Sequence, residues 1–491
     1  MIQKSVYGKN AMPLFKSRTI FVSASLFFLP VMVLCAVLCL PLIACIVGAM
    51  YLIAWIVYLQ LAQTHVEFNL PYNPSRVLKI NLIILDLLVG WIYEIPIIVS
   101  FIYWRYWTMR NQRFQHIVKR DITYSDADPD CKLDVYSPSA SPLGDKKKSP
   151  IVVFIYGGSW SSGSKYIYTP LANTLREMGY VVVVPDYRKY PRVMVDEMYA
   201  DVRQAIKWAY KHASEIHGDP ELLYVMGHSA GAHLVSQVVL TDLVDKASYA
   251  EAARDRTANH NSHGHNHTSS INSNNSSNSN MSSLISEKHD PSSIIKPMMM
   301  APPHHTTSLP PPSPPLPLYN HSHHPIHGSI YDFLPQVEGL LLLAGVYNIE
   351  THLEHETSRG VEKISAMARA MGSSVDGYRA NSPTELIRSS QGLFATSTEV
   401  IDFMPRILFI HGEIDTTVPK EQSAEMYNVL GEVLSPERRV EVDIRMLFYK
   451  SMSHSQCVTA FMPSCLGKDR LQKSLARDIQ EFINVPVDED E

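Results

Sequence analysis

The sequence predicts an α/β fold with a mostly parallel central sheet, an N-terminal membrane region and a low-complexity insertion. An uncharged apolar run opens the chain, short apolar runs then alternate with helical stretches, and a segment rich in Ser, Asn, His and Pro interrupts that alternation. At 491 residues the chain is long enough for two or three regions. We expect a membrane anchor at residues 1–110, an α/β domain at 117–247 and 331–486, a disordered insertion at 248–330 and an acidic tail at 487–491.

Short apolar runs after residue 116 predict the strands. Residues 151–156 and 181–184 are continuous apolar runs rich in β-branched residues, as a strand buried on both faces requires. Helical stretches at 171–178 and 194–213 follow them, and this alternation favours parallel pairing. The predicted strands are residues 117–124, 132–136, 151–156, 181–184, 222–226, 339–343, 406–410 and 440–449.

The charge balance and the cysteine content argue against two classes of protein. The formal net charge is -5, from 43 Lys and Arg against 48 Asp and Glu, so nothing favours a nucleic acid partner. Of the six cysteines, Cys35, Cys39 and Cys45 lie in the apolar run, which leaves too few for a disulfide scaffold. The chain also contains no C-x-x-C pair, so we expect no cysteine metal site.

Two apolar stretches predict membrane anchoring. Residues 20–62 carry no charge, and one crossing needs about 20 apolar residues, so the run could hold two crossings with a reversal near Pro41. It is also longer than the apolar core of a cleaved signal peptide. Residues 78–104 include Asp86 and Glu94, charges that are unfavourable at bilayer depth. That stretch is a third crossing, an interfacial segment or a re-entrant one.

The positive residues predict the side of the membrane, because Lys and Arg favour the cytosol. A hairpin within residues 20–62, followed by an interfacial segment, puts all the flanking positive residues on the cytosolic side, whereas three crossings put the C-terminal domain in the lumen. We expect an integral protein of the endoplasmic reticulum or Golgi membrane with a cytosolic C-terminal domain. The residues concerned are Lys4, Lys9, Lys16, Arg18, Arg76, Lys79, Arg105, Arg110, Arg113, Lys119 and Arg120.

The insertion has a composition that cannot bury enough apolar surface to offset the entropy of ordering. Its eleven histidines, from His260 to His327, would allow metal binding, but a polar spacer is the simpler interpretation. The proline-rich run from Pro310 to Pro317 is typical of polyproline II and could bind an SH3-type domain. Its Asn-x-Ser/Thr triplets would be glycosylation acceptors only in the lumen.

Gly227, His228, Ser229, Ala230 and Gly231 form a G-x-S-x-G motif between a predicted strand and an apolar helix. In a nucleophile elbow the turn is so tight that the residues two before and two after the serine must be very small. The strand–turn–helix context therefore predicts that Ser229 is a nucleophile. A G-x-S-x-G motif outside that context would be weak evidence.

A serine nucleophile needs a base to take its proton and an acid to orient that base. In this arrangement the acid and then the base follow later strands. Asp415 follows the strand at 406–410, and His454 follows the strand at 440–449, so we assign them as the acid and the base. Glu413 is the alternative acid. His228, His233 and His411 are interpreted as structural residues that hold neighbouring loops.

Backbone N–H groups near the nucleophile would form an oxyanion hole. One predicted donor is Ala230, the residue after the nucleophile. The others are Gly157 and Gly158, which follow a buried strand, since paired glycines let the backbone approach a substrate carbonyl closely. As an isolated feature, the same pair would only mark a turn.

These motifs resemble those of the HGGxW and GxSxG esterases in the hormone-sensitive-lipase-like part of the α/β-hydrolase superfamily, and most closely the isoprenylcysteine methylesterase-like and kynurenine formamidase-like proteins. Apart from the insertion, the resemblance covers about residues 124–484. One departure is that Tyr156 occupies the position of the family's motif histidine. The matching stretches are residues 133–136, 156–160, 186–188, 227–233, 358–360 and the loops of Asp415 and His454.

The resemblance implies an α/β-hydrolase fold and a serine carboxylic ester hydrolase that needs no metal or organic cofactor. Membrane anchoring favours a lipophilic ester, and the family suggests a prenylcysteine methyl ester. An arylformamidase or an acetyl or sterol esterase is the alternative. A further alternative is an inactive hydrolase-fold scaffold that binds a partner without catalysis.

Overall fold

The computed structural model describes residues 14–61, 70–110, 117–138, 148–264, 332–462 and 470–484. The chain divides into two units, one formed by residues 1–253 and 333–491 and the other by residues 254–332. In the second unit the described part is the end of one helix, up to Gly264, and Asp332. The proline-rich run and most of the predicted insertion therefore lie outside the described residues.

An eight-stranded sheet forms the centre of the first unit, in the order β1-β2-β4-β3-β5-β6-β7-β8. The first two strands pair antiparallel with their neighbours, and the strands from β4 to β8 are parallel. The strands are β1 (Val118–Thr123), β2 (Lys132–Tyr136), β3 (Ser149–Ile155), β4 (Val181–Pro185), β5 (Gly218–His228), β6 (Gly339–Leu343), β7 (Arg406–Gly412) and β8 (Ile444–Tyr449).

Helices cover the sheet and bury its apolar strands, of which β4 and β6 are buried along their whole length. The helices are α1 (Leu14–Leu61), α2 (Pro74–Arg110), α3 (Thr169–Glu177), α4 (Val195–Lys211), α5 (Ala230–Gly264), α6 (Ile349–Arg359), α7 (Met367–Ala370), α8 (Val375–Ala380), α9 (Pro383–Ser389), α10 (Gln391–Thr396), α11 (Thr398–Phe403), α12 (Glu421–Val433), α13 (Arg438–Glu441), α14 (Gln456–Thr459) and α15 (Arg470–Ile483), with a 3₁₀ turn at Ala213–Ile216. The predicted α/β-hydrolase fold with a mostly parallel sheet is confirmed.

Two boundaries differ from the sequence prediction. The last strand begins at Ile444, because the four residues of α13 come first and Arg438 donates hydrogen bonds to the carbonyl oxygens of Thr396 and Ser397 at the end of α10. The insertion does not begin at residue 248, because α5 continues to Gly264, first through residues 250–256, where Ala, Glu and Arg favour a helix.

The N-terminal apolar run is one continuous helix, so the predicted reversal near Pro41 is wrong. α1 continues through Pro30 and Pro41, which apolar helices accommodate when neighbouring groups satisfy the freed backbone. Within the described residues, one segment is long and apolar enough to cross a membrane. It is Val33–Leu61, with 29 residues and a mean hydropathy of 2.8.

The first part of α2 is attached to the α/β domain. Arg76 forms an ion pair with Glu362 at 2.7 Å, and Lys79 donates to the carbonyl oxygen of Ser358 at 2.7 Å. Val77 and Ile80 are buried in a cluster with residues of α1. The start of α2 is therefore held by polar contacts with the domain and by apolar contacts with α1.

Candidate active site

The nucleophile elbow forms at the carboxyl end of β5. Ser229 has a φ of 54°, in the left-handed region, and its N–H donates to the carbonyl oxygen of Leu343 at 2.9 Å. A Cβ on Gly231 would lie 2.1 Å from the Ile155 carbonyl oxygen, and one on Gly227 would lie 2.6 Å from the Ala232 Cα. Both glycines are therefore required by close backbone packing, as the motif predicts.

Ser229, His454 and Asp415 lie in one hydrogen-bonded row. The Ser229 Oγ is 3.0 Å from His454 Nε2, and His454 Nδ1 is 2.7 Å from Asp415 Oδ2. Because the carboxylate can only accept, His454 carries its proton on Nδ1, which leaves Nε2 free to accept the serine proton. The structure thus brings together all three residues that the sequence assigned as nucleophile, base and acid.

Asp415 is held as an ionised acceptor. Its Oδ1 accepts hydrogen bonds from the backbone N–H groups of Thr417 and Val418, both at 2.9 Å. Burial raises the pKa of Asp415, but hydrogen bonds from His411 and His454 outweigh it and hold the pKa below its usual range. The carboxylate is therefore charged at neutral pH and can stabilise a positive imidazole.

Glu413 and His228 lie near this row but are not part of it. Glu413, the alternative acid, is exposed, and it is Asp415 that contacts His454. The Nε2–H of His228 donates to the His454 carbonyl oxygen at 3.1 Å, and the two rings are 4.9 Å apart. Burial lowers the pKa of His228 to about 3, so the ring is neutral and holds the loop of the base without competing for its proton.

The paired glycines lie directly against the nucleophile. A Cβ on Gly157 would be 2.8 Å from the Ser229 Cβ, and Gly158 has a φ of 136°. Ser159 and Trp160 follow with φ values of 50° and 58°. Three consecutive positive φ values make this a sharp turn, which glycine at position 158 permits at low conformational energy. Its N–H groups are therefore the oxyanion donors that we propose, together with Ala230.

Trp160 fixes the far end of this turn. Its Nε1–H donates to His233 Nδ1 at 3.1 Å, so the opposite nitrogen of His233 donates to the Asn381 carbonyl oxygen at 2.7 Å. Burial lowers the pKa of His233 to about 4, so this ring stays neutral. His233 is thus placed as a structural residue, as the sequence suggested, and it joins the turn to α5.

Tyr156, in place of the family's histidine, anchors the start of the turn. It is fully buried, and its hydroxyl donates to Asp186 Oδ1 at 2.6 Å and accepts from Lys189 Nζ at 2.9 Å. The Tyr187 hydroxyl donates to the Tyr156 carbonyl oxygen at 3.0 Å. The substituted side chain therefore has a structural role that leaves the adjacent glycine N–H groups in place.

A cavity of about 360 Å³ opens beside Ser229. Its wall includes Ile98 and Phe101 of α2, which sequence reasoning missed, because nothing in an apolar helix sequence indicates which residues face a site formed by later strands. Among the described residues, no group of three or more His, Cys, Asp or Glu is placed to hold a metal ion. The lining residues are Ile98, Phe101, Gly157, Gly158, Ser159, Ile167, Tyr168, His228, Ser229, Thr417, His454, Ser455, Val458, Thr459 and Met462.

Part of the chain is similar in sequence to a known family and to known enzymes. A family model described as BD-FAE matches residues 133–303. A probable isoprenylcysteine alpha-carbonyl methylesterase of Arabidopsis thaliana is 33% identical over 139 residues, which is 28% of this chain and 28% of that protein. The kynurenine formamidase of Danio rerio is 38% identical over 122 residues, 25% of this chain and 39% of that protein.

The matched region thus spans less than half the length of each of these relatives. Among solved structures, esterase 2 of Thermogutta terrifontis is 17% identical with a TM-score of 0.41, and the match covers 75% of this chain and 94% of that one. Its strand order and nucleophile elbow are those of an α/β-hydrolase fold. Over part of its length, the chain is similar in sequence to isoprenylcysteine methylesterases and kynurenine formamidase.

Proposed function

We propose that this protein is a serine hydrolase that cleaves carboxylic esters, with Ser229 as nucleophile, His454 as base and Asp415 as orienting acid. The observation that carries the proposal is the continuous hydrogen-bonded row, 3.0 Å from Ser229 Oγ to His454 Nε2 and 2.7 Å from His454 Nδ1 to Asp415 Oδ2. A serine hydroxyl gains nucleophilic strength only when a base can accept its proton. An inactive scaffold would have no need for this alignment.

The reaction follows from the positions of these groups. His454 takes the proton of Ser229 as Oγ attacks the ester carbonyl, and Asp415 stabilises the imidazolium that forms. The N–H groups of Gly157, Gly158 and Ala230 stabilise the negative oxygen of the tetrahedral intermediate. His454 then protonates the leaving alcohol, and a water molecule, deprotonated by the same imidazole, releases the acid from Ser229.

The substrate that we propose is a lipophilic ester, and a prenylcysteine methyl ester in particular. The name of the matched Arabidopsis relative supports a methyl ester of isoprenylcysteine, and the apolar side chains beside Ser229 favour a hydrocarbon group. Hydrolysis would release methanol and leave a free carboxylate. The second candidate is a formamide of the kynurenine type, which the match to the Danio rerio kynurenine formamidase supports.

The test uses the full-length protein purified in detergent. A fluorophosphonate probe should label the wild-type protein but not Ser229→Ala, and farnesylcysteine methyl ester should release methanol. N-Formylkynurenine and acetyl esters are the competing substrates. Labelling without methanol release would reject the prenylcysteine ester but keep the serine hydrolase, whereas an unlabelled, folded wild-type protein would overturn the hydrolase itself.

We also propose that α1 anchors the protein in the endoplasmic reticulum or Golgi membrane, with the hydrolase domain in the cytosol. α1 is continuous, so this orientation no longer follows from a hairpin. Seven Lys and Arg at residues 76–120 lie on the hydrolase side of α1, against four at residues 1–18, and this excess favours the cytosol for the hydrolase side. Protease added to sealed microsomes should cut the hydrolase domain, and full protection would reverse the orientation.

A further inference from the structure

One wall of the cavity at Ser229 comes from a helix outside the α/β domain. Ile98 and Phe101 lie one turn apart on α2, so their side chains share a face of that helix. Ile167, Val458 and Met462 are the apolar residues of the domain that line the same cavity. The nucleophile is therefore reached through a space with apolar side chains on both sides.

The position of Ile98 and Phe101 depends on contacts that α2 makes at its start, far from the cavity. Arg76 and Lys79 attach the start of α2 to the domain, and Ile98 lies 22 residues after Arg76, or about 33 Å along a helix that rises about 1.5 Å per residue. α2 also approaches α3, the helix that follows Ile167. Contacts at both places hold Ile98 and Phe101 next to the reacting serine.

The apolar face of α2 continues beyond the cavity. Ile95 and Ile102 lie three residues before and four after Ile98, so they belong to the same face, and they are 50% and 60% exposed. A cavity of about 360 Å³ is at the small end of ligand sites, which run from about 300 to 1,000 Å³. It can enclose the first part of a long chain, and the rest would lie against this exposed face.

We propose that Ile98 and Phe101 form a subsite for the hydrocarbon chain of the substrate and select esters whose acyl part carries one long chain over short-chain esters. This inference rests on the proposed ester hydrolysis and adds the determinant of substrate class. A prenyl or straight acyl chain enters between α2 and the loops of Ile167 and Val458, with its ester carbon at Ser229 and its far end along Ile95 or Ile102 toward the lipid.

The experiment measures kcat/KM for p-nitrophenyl esters from acetate to dodecanoate, with the full-length protein in detergent micelles. Each methylene that enters the subsite should raise kcat/KM by up to about four-fold, and the rise should level off once the cavity is filled. In the Ile98→Ala/Phe101→Ala variant, the ratio of kcat/KM for decanoate to that for acetate should fall by about ten-fold or more. Ile98→Trp should instead move the plateau to shorter chains.

The matched control is Ile92→Trp or Ile92→Ala, because Ile92 is on the same helix, is 63% exposed and lies about 120° around the helix from Ile98. These variants should keep the wild-type ratio and plateau. Fluorophosphonate labelling and the melting temperature show that each variant is folded. Wild-type hydrolysis, with an unchanged ratio in Ile98→Ala/Phe101→Ala and an unchanged plateau in Ile98→Trp, would overturn the subsite alone. A folded wild-type protein that neither labels nor hydrolyses any ester would overturn the proposed function.

Discussion

The two walls of the cavity differ in what fixes them. We call the loops of Gly157, Gly158, Ser229 and His454 the polar wall, and α2 with Ile98 and Phe101 the apolar wall. In the polar wall, Gly158 and Ser229 have positive φ values, and the backbone packs so closely that a Cβ added to Gly157 would lie 2.8 Å from the Ser229 Cβ. In the apolar wall, contacts at the start of α2 set the position of the helix, and the side-chain volumes of Ile98 and Phe101 set the space that is left for a ligand. Substitutions in the polar wall should therefore abolish activity or folding outright, whereas those in the apolar wall should change substrate preference by degrees.

α6 contacts the supports of both walls. The His355 ring donates to the Thr416 carbonyl oxygen at 3.1 Å, next to Asp415, and the Ser358 carbonyl oxygen accepts from Lys79 of α2 at 2.7 Å. A helix of eleven residues thus contacts the loop of the acid and the attachment of the apolar wall. Four predictions test the two walls and the helix between their supports, beginning with the largest expected effect.

Ser229→Ala should reduce kcat for ester hydrolysis by about 10⁴–10⁶-fold, because the remaining oxyanion donors and substrate contacts supply only the residual catalysis. The measurement is the rate on a short-chain ester, with circular dichroism as the check on folding. The cavity volume is nearly unchanged, so binding of a substrate-like lipid should persist. A variant with more than about 1% of the wild-type rate would exclude Ser229 as nucleophile.

Gly231→Ala should lower the free energy of unfolding by about 3 kcal/mol, because its Cβ would meet two backbone carbonyl oxygens, those of Ile155 and Tyr156, at 2.1 and 2.6 Å. Thermal or denaturant unfolding measures the change. Gly392→Ala in α10 is the control, since an added Cβ there meets nothing within 4 Å and helix propensity favours alanine by up to about 1 kcal/mol. Equal stability of the two variants would contradict the tight elbow.

Glu356→Gln should make stability less dependent on pH. Burial raises the pKa of Glu356 from 4.5 to about 7, against the opposing effects of Ser365 and Arg359. The folded state thus binds more protons than the unfolded state between about pH 4.5 and 7, so wild-type stability falls as pH rises through that range. The variant keeps an acceptor for Ser365 and should be more stable than wild type by up to about 3 kcal/mol at pH 8.

Melting temperatures from pH 5 to pH 8 measure the difference in stability between Glu356→Gln and the wild-type protein. This difference should increase with pH. Glu350→Gln is the matched control on the same helix, because its partner Arg379 is largely exposed, and it should show little change in slope. A wild-type protein whose stability relative to Glu356→Gln stayed constant over this range would contradict a protonated Glu356 in the folded state.

Arg76→Ala should have the smallest effect. The Arg76–Glu362 ion pair is partly exposed, and such pairs contribute about 1 kcal/mol or less. Since Lys79 and the buried Val77 and Ile80 still hold α2, the decanoate-to-acetate ratio should change by no more than about two-fold. The Arg76→Ala/Lys79→Ala double variant should change the decanoate-to-acetate ratio further. A change of more than about ten-fold in Arg76→Ala alone would show that the Arg76–Glu362 ion pair by itself determines where the apolar wall lies.

The polar wall could be predicted from sequence because its constraints are local. A G-x-S-x-G turn after a strand specifies where Ser229 must lie, and parallel strands bring the loops after β7 and β8 to the same edge, where Asp415 and His454 lie. The position of Gly157 and Gly158 could also be predicted, because the backbone at these residues must approach the nucleophile closely. The roles of these residues in catalysis remain predictions, whereas their convergence is a property of the structure.

The apolar wall could not be predicted because it depends on tertiary contacts. Residues 78–104 are apolar on nearly all sides, so periodicity does not distinguish Ile98 and Phe101 from their neighbours. The side that faces the cavity is set by Arg76 and Lys79, whose partners are about 280 residues away in sequence. The continuous α1 was missed for a related reason. A proline within a helix predicts a break when the sequence is considered alone, because it leaves a carbonyl group without its hydrogen bond. In an apolar helix, neighbouring groups can satisfy that carbonyl, and the sequence does not show them.

The length of α5 changes how the low-complexity segment can be removed. Ala247 is buried in the core, and the helix that starts beside the nucleophile continues to Gly264. An internal deletion that started at residue 248 would therefore remove part of this helix. A deletion of residues 265–331 joined by a flexible linker instead spares every turn of that helix. Such a shortened protein gives a route to crystallisation in which the reactive centre keeps its native support.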